Sequence, residues 1–319
     1  MIVEANQEGI ARAAKLLREG QCVGMPTETV YGLAADGLNP EALARIFAIK
    51  QRPFFDPLIL HMAENFELER LVIRISPTAR TLMANFWPGP LTLLFPKREL
   101  VPDLATSGLP TVAIRCPAHP VAQALLQEFG SPLAAPSANK FGRISPTSAQ
   151  AVKEELGDEI SLVLDGGPCR IGVESTILDV TSDKVFLLRS GGVPLELLEE
   201  KIGPIELSGE DAIKAPGMLK SHYAPRTPLL RLQEPWPRDQ ELPSDTALLA
   251  WSNFPVSVER VRVLAPDGDE VAAAAKLFQY LRELDSLGVE KILSEPVPMK
   301  GLGRAINDRL ERASVGTTV

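Results

Sequence analysis

Short apolar runs, separated by stretches of helical periodicity, mark most of this chain. Ile10, Ala13, Ala14 and Leu17 recur at the spacing of one helix face. Gln7 to Arg18 therefore reads as a helix that Gly20 closes, behind a first strand over Ile2 to Ala5. Pro77 to Phe86 and Pro120 to Phe129 read as helices too, each opening on a Pro, which the first turn tolerates. Between these two helices, Trp87-Pro88-Gly89-Pro90 makes a rigid corner from which Leu91 to Phe95 leaves as a strand. Thr111 to Cys116 has a two-residue period, with Thr111, Ala113 and Arg115 on one face and Val112, Ile114 and Cys116 on the other. An Arg among small residues calls for an anion, either an internal carboxylate or a ligand. Leu133 to Ala135 and Leu162 to Leu164 read as strands, and Ser148 to Leu156 as a helix capped by Thr147. Thr176 to Val180 and Val185 to Arg189 form a hairpin turned at Thr181 to Lys184.

The stretch from Met25 to His61 gathers hydroxyls, cations and a His between such runs. Val23 to Pro26 reads as a strand end, and Pro40 to Ile49 as a helix with Asn39 at the N-cap and Pro at its first position. Pro53 stops that helix, so Lys50 and Arg52 lie at its exit, where cations complement the negative dipole end. Pro57 to Leu60 then reads as a short buried strand delivering His61 at its end, a position that commonly borders a ligand crevice.

After about Ser208 the pattern changes. AIKAPGMLKSHYAPRTP is rich in Pro and carries Lys214, Lys220, His222, Tyr223 and Arg226, which suits a linker that can lie across the preceding domain as a lid. Beyond it, strands over Ala247 to Trp251, Val261 to Leu264 and Lys291 to Ser294 alternate with helices over Glu270 to Leu287 and Gly303 to Ala313. Such alternation predicts a small parallel α/β domain. The expected division is a first domain over 1–207, a linker over 208–228 and a C-terminal domain over 229–319, consistent with two cores in 319 residues.

Composition narrows the chemistry. A net charge of -8 argues against nucleic-acid binding over the whole surface while leaving room for a local basic cleft. Cys22, Cys116 and Cys169 stand far apart without CxxC spacing, so neither a disulfide framework nor a zinc knuckle is expected. No apolar run approaches the ~20 residues of a membrane span, and we expect a soluble, cytoplasmic protein. The P-loop, HExxH and GxSxG patterns are absent. What remains is a set of cations, Lys50, Arg52, Arg115 and Arg189, with hydroxyl and amide groups at Thr29, Ser137, Asn139, Ser145 and Ser175. That inventory suits phosphate binding by side chains and charge stabilisation of a phosphoryl-type transition state, and does not by itself name a substrate.

Several ordered motifs go further. PTETVYGL at Pro26 to Leu33, Lys50-Gln51-Arg52-Pro53 with Pro57-Leu58 and His61, TVAIRCP at Thr111 to Pro117, and PSAN with SPT closely resemble the YrdC-type domain of threonylcarbamoyl-AMP synthases. LDGGPC, GVESTILD, and the linker's PGM and HYAP extend the resemblance to the longer, two-domain members, over essentially the whole chain. The fold so implied is α/β: a twisted open mixed β-sheet with helices and a basic concave face, plus a small Rossmann-like C-terminal domain. The activity implied is that of a nucleotidyltransferase joining L-threonine, bicarbonate or carbon dioxide, and ATP into threonylcarbamoyl-AMP and pyrophosphate, the first step toward threonylcarbamoyladenosine in tRNA.

Carried over residue by residue, the resemblance assigns catalytic charge stabilisation to Lys50 and Arg52. It places Asp56, Thr111, Ser137, Asn139, Ser145, Arg189, His222 and Tyr223 on the ATP side with them, and Thr29, Tyr31, His61, Arg115 and Ser175 around threonine. Mg²⁺ is expected with ATP. Asp56 stands where the family usually has Asn, and is a candidate ligand for that ion or an ion-pair partner of Arg52. The product is expected to pass to a tRNA-modifying transferase complex, with direct tRNA binding left open. Two other readings stay open at this stage: a non-catalytic double-stranded RNA or tRNA-binding module, and a carbamoyl-adenylate-forming maturation enzyme.

Overall fold

In the computed structural model, which describes residues 1–207, 222–254 and 259–314, eleven short strands join into one mixed sheet. They are β1 (Ile2–Glu4), β2 (Val23–Met25), β3 (Gly32–Asp36), β4 (Ile59–His61), β5 (Leu91–Pro96), β6 (Thr111–Arg115), β7 (Leu133–Ala134), β8 (Leu162–Asp165), β9 (Thr176–Asp179), β10 (Phe186–Arg189) and β11 (Glu206–Leu207). Their spatial order is β1-β8-β2-β3-β7-β4-β6-β5-β9-β10-β11. Six of the ten neighbouring strand pairs are not consecutive in sequence, so residues from remote stretches meet at strand ends. β4 and β6 pair in parallel with His61 opposite Arg115. β5 and β9 pair in parallel with Leu91 opposite Thr176, which brings the Glu174-Ser175 pair beside the Pro90 corner.

Helices α1 (Gln7–Arg18), α2 (Pro40–Lys50), α3 (Pro77–Phe86), α4 (Asp103–Thr106), α5 (Pro120–Phe129), α6 (Ala149–Leu156) and α7 (Leu195–Ile202) accompany this sheet. Their starts follow local chemistry, since a cap side chain satisfies N–H groups that lack a partner in the first turn. Asn6, Asn39 and Ser76 accept from the first turns of α1, α2 and α3. Two expectations change. The cap of α6 is Ser148, whose hydroxyl accepts from Ala151 N, not Thr147. Gln51 ends α2 in a left-handed conformation before Pro53 is reached. β3 (sequence GLAAD) was not anticipated: its small residues carry little strand propensity, and its position between β2 and β7 supplies the pairing.

The linker expected over 208–228 falls mostly outside the described residues, including Lys214 and Lys220. After it, β12 (Leu229–Arg231), β13 (Thr246–Ala250), β14 (Val261–Val263) and β15 (Lys291–Ser294) form a wholly parallel sheet in the order β12-β15-β13-β14, packed by α8 (Glu270–Asp285) and α9 (Gly303–Ala313). This second unit shares a core with the first: Val30, Ile144 and Val173 pack in one cluster with Tyr223, Phe278 and Leu281. Polar contacts fix the join. Arg282 of α8 donates to Glu155 at 2.9 Å, and Asp285 accepts the N–H groups of Arg226 and Thr227 where the linker leaves. Gly172, at φ +74°, lies so close to α8 that a Cβ there would stand 2.3 Å from Ala274 O.

Candidate functional site

The ends of β4, β6 and β10, the loops after β2 and β7, the loop before β9, and His222-Tyr223 surround a cavity of about 50 Å³. Arg115 is its most constrained wall. Its Nη1 donates to Thr29 Oγ1 at 2.8 Å, its Nε to Gly89 O at 3.1 Å, and its Nη2 stands 2.6 Å from Glu28 Oε1. Both the carboxylate and the ligand alternatives for this Arg therefore apply, since it is paired with Glu28 and still borders the cavity. Burial pushes the Glu28 carboxyl up, but the charge and hydrogen bonds of Arg115 with backbone N–H groups outweigh it and hold the group below the usual carboxylate range. His61 lines the same cavity, with no partner on Nδ1. Burial, then the Arg115 charge, lowers its pKa from 6.5 to about 3, so the imidazole is neutral at ordinary pH. Ser175 Oγ lies 2.7 Å from Thr92 Oγ1 and also borders the cavity.

Arg52, Ser137, Arg189, His222 and Tyr223 also line the cavity. Arg52 donates to Asp56 O and Pro57 O and forms a 2.8 Å ion pair with Asp56 Oδ2. Arg189 donates from Nε and Nη2 to Ser175 O, and from Nη2 to Ser175 Oγ at 3.1 Å. His222 N–H donates to Arg312 O and Ala224 N–H to Gly142 O, so the His222-Tyr223 segment is held by both domains. Tyr223, at φ 66°, stacks on Phe278, and His222 meets Phe141 edge-on. Burial, then the charges of Arg52 and Lys50, pulls the His222 imidazole well below its ordinary range.

Six of the expected residues do not line this cavity. Lys50 lies behind the wall, donating to the carbonyls of Ser137 and Asn139, with burial pulling its ammonium well below the ordinary lysine range. Asn139 clamps its own loop through Lys140 O and Arg143 O. Ser145 donates to Glu174 Oε1. Tyr31, expected to wall the threonine pocket, instead donates to Gly167 O and accepts from Gly166 N, pinning the turn after β8. Thr111 opens β6 opposite Pro96. Asp56 is fully buried against Arg52, and burial raises its pKa despite the cations around it. The ion pair with Arg52, one of the two roles weighed for Asp56, is present. Among the described residues no group of three His, Cys, Asp or Glu converges, so the protein side chains present no cage for Mg²⁺.

Three functional neighbours escaped the sequence reading: Glu28, Glu174 and Arg309. Glu28 and Glu174 lie inside quoted motifs beside residues that were singled out, and a buried carboxylate next to a buried Arg is the signal that could have found them. Glu174 lines the cavity and receives Arg309 from α9 across the domain boundary.

Comparison with known proteins agrees with this fold. A family profile described as "Telomere recombination", covering the Sua5, YciO and YrdC proteins, matches residues 15–191. A second, described as "Threonylcarbamoyl-AMP synthase, C-terminal domain", matches residues 193–315. A threonylcarbamoyl-AMP synthase from Pyrococcus abyssi is 44% identical, over 95% of this chain and 93% of its own length. One from Bacillus subtilis is 41% identical over 99% and 96%. The crystal structure of P. abyssi Sua5 complexed with L-threonine superposes with a TM-score of 0.90 at 40% identity, covering 98% of this chain and 97% of that one.

Proposed function

The chain belongs to the threonylcarbamoyl-AMP synthase family, and we propose how its own residues divide the work of making threonylcarbamoyl-AMP and pyrophosphate from L-threonine, bicarbonate or carbon dioxide, and ATP. The observation that carries the proposal is the convergence of Arg52, Arg115 and Arg189, drawn from three remote stretches, on one cavity with His61 and Thr29. Two polyanionic or carboxylate substrates can be brought together only where cations offset their repulsion, and this is the place in the chain where they do.

Arg115, which borders the cavity, holds the threonine carboxylate. Thr29, Ser175 and neutral His61 supply hydrogen bonds to the amino acid's polar groups. The threonine amine adds to carbon dioxide and loses a proton, giving a carbamate. A carbamate oxygen then attacks the α-phosphorus of ATP, and the bond from that phosphorus to the bridging oxygen breaks as pyrophosphate leaves. Arg52 and Arg189 stabilise charge developing on the phosphates. Lys50 acts one step back, fixing the Ser137 loop through its carbonyls. Mg²⁺ bound to the triphosphate would offset its charge, and no protein carboxylate is assigned to it. The protein needs no nucleophile of its own. It must exclude water from a hydrolysable mixed anhydride, and His222 and Tyr223 closing over the cavity serve that end.

A cavity of about 50 Å³ is far smaller than the ~300 Å³ or more of an ordinary ligand site. The cavity must therefore widen to admit ATP. Transfer of the product to a tRNA-modifying partner follows from the lability of the anhydride. Among the described residues no helix is long and apolar enough to cross a membrane.

The test is direct: the purified protein with ATP, bicarbonate and L-threonine should release pyrophosphate only when all three are present. Threonine-independent release, or activity with carbamoyl phosphate as donor, would favour the maturation-enzyme reading instead. RNA binding unaffected by ATP and threonine, without pyrophosphate release, would favour the RNA-binding module.

A further inference from the structure

Arg309 is wholly buried and comes from the last described helix, in the domain that contributes no substrate group under the proposal above. Its Nε donates to Glu174 Oε2 at 2.8 Å, and its Nη1 donates to Ser190 O at 3.0 Å and pairs with Asp308. Its guanidinium carbon lies 5.1 Å from the centroid of the Tyr223 ring. Glu174 and Tyr223 are both cavity walls, so one side chain of the C-terminal domain reaches two points of the site.

The charge arithmetic explains why this matters. Glu174 is a carboxylate facing the space that an anionic triphosphate must fill. Its other oxygen accepts from Ser145, and the groups facing it are Arg309 from α9, Arg189 from β10 and the Ser145 hydroxyl. Burial pushes its carboxyl up, but Arg309, then Arg189, holds it below the usual carboxylate range. Without Arg309, the Glu174 charge would be less fully offset and would repel the nucleotide. Tyr223 would lose the cation beneath its ring, a contact worth more when desolvated.

We propose that Arg309 is a positioning residue for the nucleotide side of the pocket, through which the C-terminal domain offsets the charge of Glu174 and seats Tyr223. This rests on the reading of the pocket as an ATP site. It gives the C-terminal domain a part in catalysis that needs no contact with substrate.

Four variants decide it: R309M, R309K, E174Q and the double variant R309M/E174Q, each in the full-length protein. KM for ATP and for threonine, kcat, and equilibrium ATP binding are measured from pH 6 to pH 8. R309M should raise KM for ATP roughly 10- to 100-fold, the scale for leaving a buried charge unpaired, and change KM for threonine far less. In R309M alone, ATP binding should tighten as pH falls, because the unpaired Glu174 then takes up a proton. R309K should show a smaller loss and no such pH dependence. The double variant, with both charges gone, should recover most of the ATP affinity, and it is the variant best able to fold, since replacing a buried pair together is better tolerated than breaking it.

Equal impairment in R309M and the double variant, without pH dependence, would reduce the pair to a structural tie and overturn the proposal. So would ATP affinity in R309M matching wild type. Should the wild type bind ATP yet release no threonine-dependent pyrophosphate, the assigned reaction fails, while the ATP-binding series still decides the role of Arg309.

Discussion

Replacing His61 by Asn should flatten the acid side of the stability curve. The folded protein holds this imidazole neutral down to about pH 3, whereas the unfolded chain restores its ordinary 6.5. Between those two values the unfolded state binds a proton that the folded state refuses, so stability falls as pH falls through that window and is unaffected by His61 above it. From about pH 7.5 to about pH 5 the linked loss is roughly 2 kcal/mol, the free energy of protonating the unfolded His about 1.5 pH units below its pKa. That figure is insensitive to the folded value provided it lies well below 5. His222 and the carboxylates titrate in both proteins, so the difference between wild type and His61→Asn isolates the one group.

Urea unfolding followed by circular dichroism at a series of pH values measures it. The wild type should lose about 2 kcal/mol more than His61→Asn over that interval. Parallel curves, within about 0.5 kcal/mol, would mean that His61 takes up its proton in the folded state, and the reasoning about its burial and the Arg115 charge would fail. The functional corollary is that His61 enters the site as a neutral hydrogen-bonding group, leaving Arg115 as the cation beside the threonine carboxylate.

Other outcomes follow from the same geometry. Arg52→Ala should lower kcat roughly 10²-fold, the usual scale for losing a transition-state charge partner, and wild-type pyrophosphate release in that variant would remove Arg52 from the chemistry. Arg115→Lys keeps the charge but cannot hold Gly89 O, Thr29 and Glu28 together, so KM for threonine should rise about tenfold with KM for ATP little changed; equal shifts in both would contradict its assignment. Gly172→Ala meets both a positive φ and the Ala274 carbonyl at 2.3 Å, and should destabilise the join between the domains by roughly 1–3 kcal/mol in thermal or urea unfolding. An unchanged midpoint would show that α8 gives way freely.

Much of the fold was legible because its signals are local. α3, α5 and α9 occupy the spans their periodicity predicted, and α2 differs by one residue at its end. A Pro at the first position and a cap before it state where such a helix begins. The strands were readable as apolar runs, but their order was not: no residue of β4 or β6 says that they pair, or that β9 lies against β5. Side-chain partners were hidden for the same reason. The carbonyls and the carboxylate that take the hydrogen bonds of Lys50 and Ser145 arrive from elsewhere in the fold, whereas those of Asn139 lie in its own loop. The Arg309–Glu174 contact spans 135 residues and crosses a domain boundary, beyond the reach of any local pattern.

The pairing of the buried cations carries a further consequence. Arg52, Arg115 and Arg309 each have a carboxylate within 2.8 Å, at Asp56, Glu28 and Glu174. An isolated guanidinium in such a place would cost several kcal/mol in lost hydration, and each carboxylate offsets that cost while fixing the planar fork in one orientation. The arrangement lowers the field an incoming anion feels, so it works against raw affinity. What it supplies is an arginine already charged and held in place before substrate arrives, with Arg52 and Arg115 both bordering the cavity. Binding then requires no reorganisation of the cations, and the attraction gained as charge develops on the phosphates can be directed to the reaction rather than to ordering the site.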